Sequence, residues 1–192
     1  MGMTRGRMIL ATAGAALLAA GLATPSAFAL PSGPGLRASA VQPTGDLPAR
    51  PMTRAQARSA YRDAVCPMNA VTMSFLKAME GPDTPWTTVQ PLIRALARKQ
   101  SRAARLLSHP TRPWPDAVSD LVAYPAELFL RQAGANEVLA GTTSREEYDT
   151  LLESLVSNLL ADTSKSVTDG QRAIAVIKKR LGFASESACP TS

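Results

Sequence analysis

From Thr53 onward the apolar residues of this chain recur at three- and four-residue intervals, and they nowhere alternate for long enough to mark a strand. A helix turns about 100° per residue, so this spacing gathers apolar side chains on one face, whereas a half-buried strand needs a period of two. The chain is therefore read as all-α. Four stretches carry the pattern. The first starts at Thr53, a residue type that caps helix N-termini, and runs to about Glu80 before Gly81-Pro82. Ala57, Tyr61, Ala64, Val65, Met68, Phe75, Leu76 and Met79 share its inner face. Pro67 lacks an N–H and is expected to kink this helix or split it in two.

The second stretch begins near Thr84-Pro85 or shortly after and ends by His109-Pro110, with Val89, Leu92, Ile93, Leu96, Ala103 and Leu107 turned inward. Pro91 is least strained in a first turn, which would make Thr87 or Thr88 the cap. The third covers about 115–133, bent at Pro125 and closed by Gly134, and buries Val118, Leu121, Val122, Leu128 and Phe129. The fourth opens on Ser144-Arg145-Glu146-Glu147, a capping box in which hydroxyl and carboxylate satisfy each other's free backbone donors. Leu152, Leu155, Val156 and Leu159 share a face, and the same phase carries on through Ser166, Gly170, Ala173, Ile177 and Leu181. One helix of about 37 residues, near 55 Å long, follows from that unbroken phase. The alternative is a break over 163–168 with a fresh cap at Thr168. About four amphipathic helices with short connections, the last of them long, predict an antiparallel bundle.

The segment before the bundle reads as an address. Arg5 and Arg7 precede an uncharged run at 8–23, Pro25 follows, and Ala27-Phe28-Ala29 places small residues where a signal peptidase reads. Residues 1–29 are read as a signal peptide cleaved after Ala29. Its 16-residue run falls short of the roughly 20 needed to span a bilayer, although an uncleaved anchor is the competing reading. Residues 30–52 hold prolines 31, 34, 43, 48 and 51 with few large apolar side chains, the composition of a flexible linker. The bundle domain is placed at 53–182 and a C-terminal tail at 183–192.

Export implies an oxidising compartment. Cys66 and Cys189 are the only cysteines, so a single disulfide is expected between them, tying the tail to the first helix. It would close a loop of about 124 residues, for which chain entropy suggests roughly 5 kcal/mol. Cys66 lies on the helix flank with Ala70 and Met73, and the tail is expected to fold along that flank with Phe183 helping to cover it. A redox-active pair would favour close CxxC-type spacing, which this pair lacks. Tyr61-Arg62-Asp63-Ala64-Val65-Cys66-Pro67-Met68-Asn69 resembles the cysteine-proline segment of small exported actinobacterial helical proteins of unknown function. That resemblance covers nine residues. It implies an exported helical protein and carries no catalytic residue.

The chemistry available is narrow. One histidine and two cysteines cannot build a four-ligand Cys/His zinc site. GxGxxG, GxxxxGK[ST] and GxSxG are all missing. His109 sits at a helix end, where an imidazole meets the C-terminal dipole favourably. Acid pairs suited to glycoside cleavage could come from Glu127, Glu146, Glu147, Asp149 or Glu153. Glu146 and Glu147 are better explained by capping, Asp149 and Glu153 as a solvated face, which leaves Glu127. Met52, Met68, Met73 and Met79 raise soft-metal ligation, but most follow the helical pattern and are expected to pack. No catalytic residue, metal site or cofactor is therefore assigned.

The sharpest surface feature is a ridge of Arg94, Arg98, Arg102 and Arg105 opposite the second helix's apolar stripe, with Lys99 beside it. It is either a solvated face, partly paired with acids of the fourth helix, or a site for an anionic envelope polymer, lipid headgroups or an acidic protein. Aromatic residues are not interleaved with it. Loss of two arginines with the leader leaves 19 basic and 15 acidic residues, and nucleic acid is not an expected partner. Ser166, Gly170 and Ala173 form a small-residue stretch that allows either close helix approach or room for a small ligand. The sequence thus points to an exported, non-enzymatic helical protein that binds or supports at the cell envelope. A ligand carrier using the bundle interior and a carboxylate hydrolase are the alternatives.

Overall fold

The computed structural model describes residues 50–81, 83–162, 164–183 and 189, with backbone alone over 156–162 and 164–166. The expected leader at 1–29, most of the expected linker at 30–52 and most of the tail at 183–192 lie outside the described residues. Every regular element among those described is helical: α1 (Arg54–Glu80), α2 (Trp86–Ser108), α3 (Asp116–Ser119), α4 (Ala123–Leu139), α5 (Arg145–Asp162) and α6 (Ser164–Leu181).

Local chemistry sets the first boundary. The Gln56 amide donates to Thr53 Oγ1 at 3.3 Å and the Thr53 amide donates to Gln56 Oε1 at 3.0 Å, a reciprocal cap. From there α1 runs without interruption through Pro67. The expected split does not occur. A mid-helix proline costs about 3 kcal/mol. Tyr61, Val65, Met68 and Phe75 are buried on both sides of it, and each such side chain contributes about 1.5–3 kcal/mol. The packing outweighs the lost bond.

The second and third stretches are corrected in detail. Helix α2 starts at Trp86 with Pro85 in the cap position, so Pro91 falls in the second turn and neither Thr87 nor Thr88 is the cap. The third stretch divides into the single turn α3 and a separate α4. Pro125 lies in the first turn of α4, where no intrahelical donor is needed, so it opens the helix and does not bend it. Gly134 does not close α4, which runs on to Leu139.

The end of α4 is instead set by α2. Gln90 Nε2 donates to the carbonyls of Ala140 (3.1 Å) and Thr142 (2.8 Å), and Trp86 Nε1 donates to Thr142 at 2.9 Å. Carbonyls that a helix end leaves without partners are satisfied across the interface. Arg145 does the same for α1, donating to Met79 and Gly81 carbonyls at 2.7 and 3.2 Å. At Ser144 the Glu147 amide bonds the hydroxyl at 3.2 Å as expected. The Glu147 carboxylate, however, accepts from the Thr143 amide (2.7 Å) and hydroxyl (2.9 Å), so the box is not reciprocal. Those bonds hold the Glu147 carboxyl below the usual carboxylate range.

Two apolar clusters fill the interior. One joins Tyr61, Leu96, Leu107, Val118, Phe129 and Ile177. The other joins Phe75, Val89, Ile93, Leu139, Tyr148 and Leu152. The chain therefore shuttles between two ends of a helical bundle. Helices α1 and α4 start at the first cluster, and α2 starts at the second. Helix α5 contributes its opening residues to the second cluster, and α6 its closing residues to the first. Between α2 and α4 the buried Asn136 amide donates to Gln100 at 2.8 Å, and Gln100 donates to Gln132 at 3.3 Å. Satisfied amides inside an apolar interface fix its register.

The expected single 37-residue helix passes through Thr163, which lies outside the described residues. What is described is two helical segments on either side. On α6, Gly170 is buried, and a Cβ there would stand 3.0 Å from Leu128 Cβ of α4. The small residue is spent on close helix approach at this position. Helix α6 ends on Gly182 with φ 76°, and the amides of Gly182 and Phe183 donate to Lys179 and Lys178 carbonyls at 3.1 and 3.0 Å.

Candidate functional site

Cys66 and Cys189 form a disulfide with Cα atoms 5.3 Å apart, as their status as the only two cysteines predicts. Asn69 Nδ2 approaches Cys189 Sγ at 3.2 Å. Phe183 does not cover the flank expected of it. Its ring packs on Tyr61 at 5.7 Å, with the Arg58 and Arg62 guanidinium carbons 5.0 and 5.6 Å from its centroid. Ala70 is exposed and Met73 is 62% exposed. The rest of the tail lies outside the described residues. The link is a clasp between chain end and α1.

The arginine ridge is where its spacing places it. Val89, Ile93, Leu96, Ala103 and Leu107 are buried on one side of α2, and Arg94, Arg98, Arg102 and Arg105 are exposed on another. The side chains of Arg98, Arg102 and Arg105 make no hydrogen bond or ion pair among the described residues, so the pairing expected with acids of the fourth helix is not seen there. Arg94 differs. It donates to the Ala140 carbonyl at 3.3 Å and helps terminate α4. Between the two helices lies an open cleft of about 300 Å³ lined by Arg94, Ala97 and Arg98 from one side and Glu137, Ala140 and Gly141 from the other. Glu137 brings a negative charge to the end of the ridge, so the anion-attracting stretch is the part from Arg98 to Arg105.

The other candidates are dispersed. Glu127 accepts from Arg131 Nη2 at 2.6 Å on the exposed face of α4. Glu147 is spent on Thr143. No group of three or more His, Cys, Asp or Glu side chains able to hold a metal ion occurs among the described residues. His109 is the C-terminal cap residue of α2, its amide donating to the Arg105 carbonyl at 2.8 Å. Met52 and Met68 are buried in the core, while Met73 is not. No described helix is long and apolar enough to cross a membrane.

Sequence reasoning passed over a second basic row. Arg54, Arg58 and Arg62 repeat every four residues on α1, the same signal that picked out the ridge, and Lys178-Lys179-Arg180 closes α6. Comparison of the chain with family profiles, with curated proteins and with solved structures returns no match. The site must be interpreted from its own geometry.

Proposed function

We propose that this is an exported, non-enzymatic helical protein that binds an anionic partner at the cell envelope through the arginine face of α2. The partner classes are an anionic envelope polymer, lipid headgroups or an acidic protein. One observation carries the reading: Arg98, Arg102 and Arg105 stand exposed on one helix face with no described carboxylate bonded to any of them. Such a row holds its full charge toward solvent and attracts polyanions over about a Debye length. The reading includes the leader at 1–29, the resemblance of residues 61–69 to small exported actinobacterial proteins, and an antiparallel arrangement in which α5 and α6 together form the fourth rod.

The test is retention on isolated envelope fractions across a salt gradient. The parent is expected to bind at low salt and elute as salt rises. The variant with Arg98, Arg102 and Arg105 changed to Gln is expected to elute at clearly lower salt than the parent. Equal retention of the two proteins would discard the reading.

A further inference from the structure

The charges of the bundle are sorted along its length. At the end containing Tyr61, Leu107 and Ile177, the start of α1 carries Arg54, Arg58 and Arg62, and the end of α6 carries Lys179 and Arg180. Contacts draw these elements together. Arg112 donates to the Arg50 carbonyl at 3.0 Å, and Arg180 donates to the Ala117 carbonyl at 2.6 Å. Phe183 lies under Arg58 and Arg62, and a Cβ on Gly182 would meet the Arg54 guanidinium. The bonds made by Arg112 and Arg180 go to neutral oxygens, so they consume donors without cancelling charge. The carboxylates on these stretches and on the 109–122 connection are Asp63, Asp116 and Asp120, and Glu186 follows in the tail, outside the described residues.

The opposite end is acidic. Glu80 and Asp83 flank the first turn, Glu137 sits near the end of α4, and Glu146, Glu147 and Asp149 open α5. Lys77, Arg94 and Arg145 are the cations near that end, and Arg94 and Arg145 are bonded to backbone carbonyls. A body with an excess of cations at one end and of carboxylates at the other turns in a field, so a negative surface selects the basic end.

We infer that the bundle docks end-on, through the pole of Arg50, Arg54, Arg58, Arg112 and Lys179, on an anionic lipid bilayer. The inference deepens the proposed function: the exposed part of the ridge, through Arg102 and Arg105, is the side wall of a larger basic end. A bilayer, not a polymer strand, is the fitting occupant, because the pole is assembled from three separate chain segments into a broad end, not a channel along one helix.

The experiment is sedimentation of the full chain with phosphatidylglycerol-containing vesicles and, in parallel, with neutral phosphatidylcholine vesicles that read the contribution of the apolar run. Arg50, Arg54 and Lys179 are exposed, and changing all three to Gln removes no side-chain hydrogen bond or ion pair among the described residues. Each cation near an anionic surface is worth about fivefold, so this variant is expected to lose about a hundredfold in charge-dependent affinity. The Arg98→Gln/Arg102→Gln/Arg105→Gln variant is expected to lose less. A pole variant that binds like the parent, with a ridge variant that does not, would overturn the end-on inference and leave the α2 reading standing. Parent retention on envelope fractions without any preference for the anionic vesicles would do the same. Salt-sensitive self-association in place of vesicle binding would assign the basic pole to the acidic end of a second copy and also overturn it. Failure of the parent on both vesicles and envelope fractions would remove both readings.

Discussion

Tyr61 is fully buried, and its hydroxyl has no hydrogen-bond partner among the described residues. Burial pushes its ionisation well above the ordinary tyrosine range. A buried hydroxyl without a partner costs about 1–3 kcal/mol, while the ring itself packs on Phe183 and belongs in the core. Tyr61→Phe keeps the ring and removes the oxygen. We expect it to raise stability by about 1 kcal/mol, read as a higher urea midpoint at unchanged slope. A loss of that size would mean the hydroxyl is bonded.

Glycine does opposite things in two helices. At Gly134 on α4 nothing lies within 4 Å of where a Cβ would stand. Gly134→Ala should therefore stabilise by about 1 kcal/mol, the helix-propensity difference alone. Gly170→Ala would collect the same gain but place its methyl 3.0 Å from Leu128 Cβ. That atom is fixed to the α4 backbone and cannot rotate away, and overpacking costs about 1–3 kcal/mol. The net expectation is a destabilisation of about 1 kcal/mol. Paired denaturation curves decide it, and a gain at both sites would show that α4 and α6 are loosely apposed. This contrast also explains why Gly134 misled as a helix stop. A glycine signals termination only when nothing else supplies it, and here Trp86, Gln90 and Arg94 reach across from α2 to finish α4. Side chains fifty residues away leave no trace in local periodicity. What the periodicity did locate were the inner faces of α1 and α2, the start of α5 and the arginine row, because each is written within one helix. The basic pole is assembled from α1, α6 and the 109–122 connection, so the Arg54, Arg58 and Arg62 row and the Lys178-Lys179-Arg180 run were there to be read in advance, but not their meeting.

The disulfide acts at the scale of the molecule. It joins the first helix to the chain end over a sequence separation of 123. Restricting so long a loop in the unfolded chain stabilises by about 2–5 kcal/mol. Cys66→Ala/Cys189→Ala should therefore melt well below the parent, whereas reductant should lower the melting of the parent alone. Coincident melting of oxidised and reduced parent would show the link to be thermodynamically idle. The same link spans every connection between the helices described above. A single backbone nick at 81–85, 109–115 or 140–144 would leave both fragments covalently attached to one another, so no one cut in those turns could shed a piece of the fold.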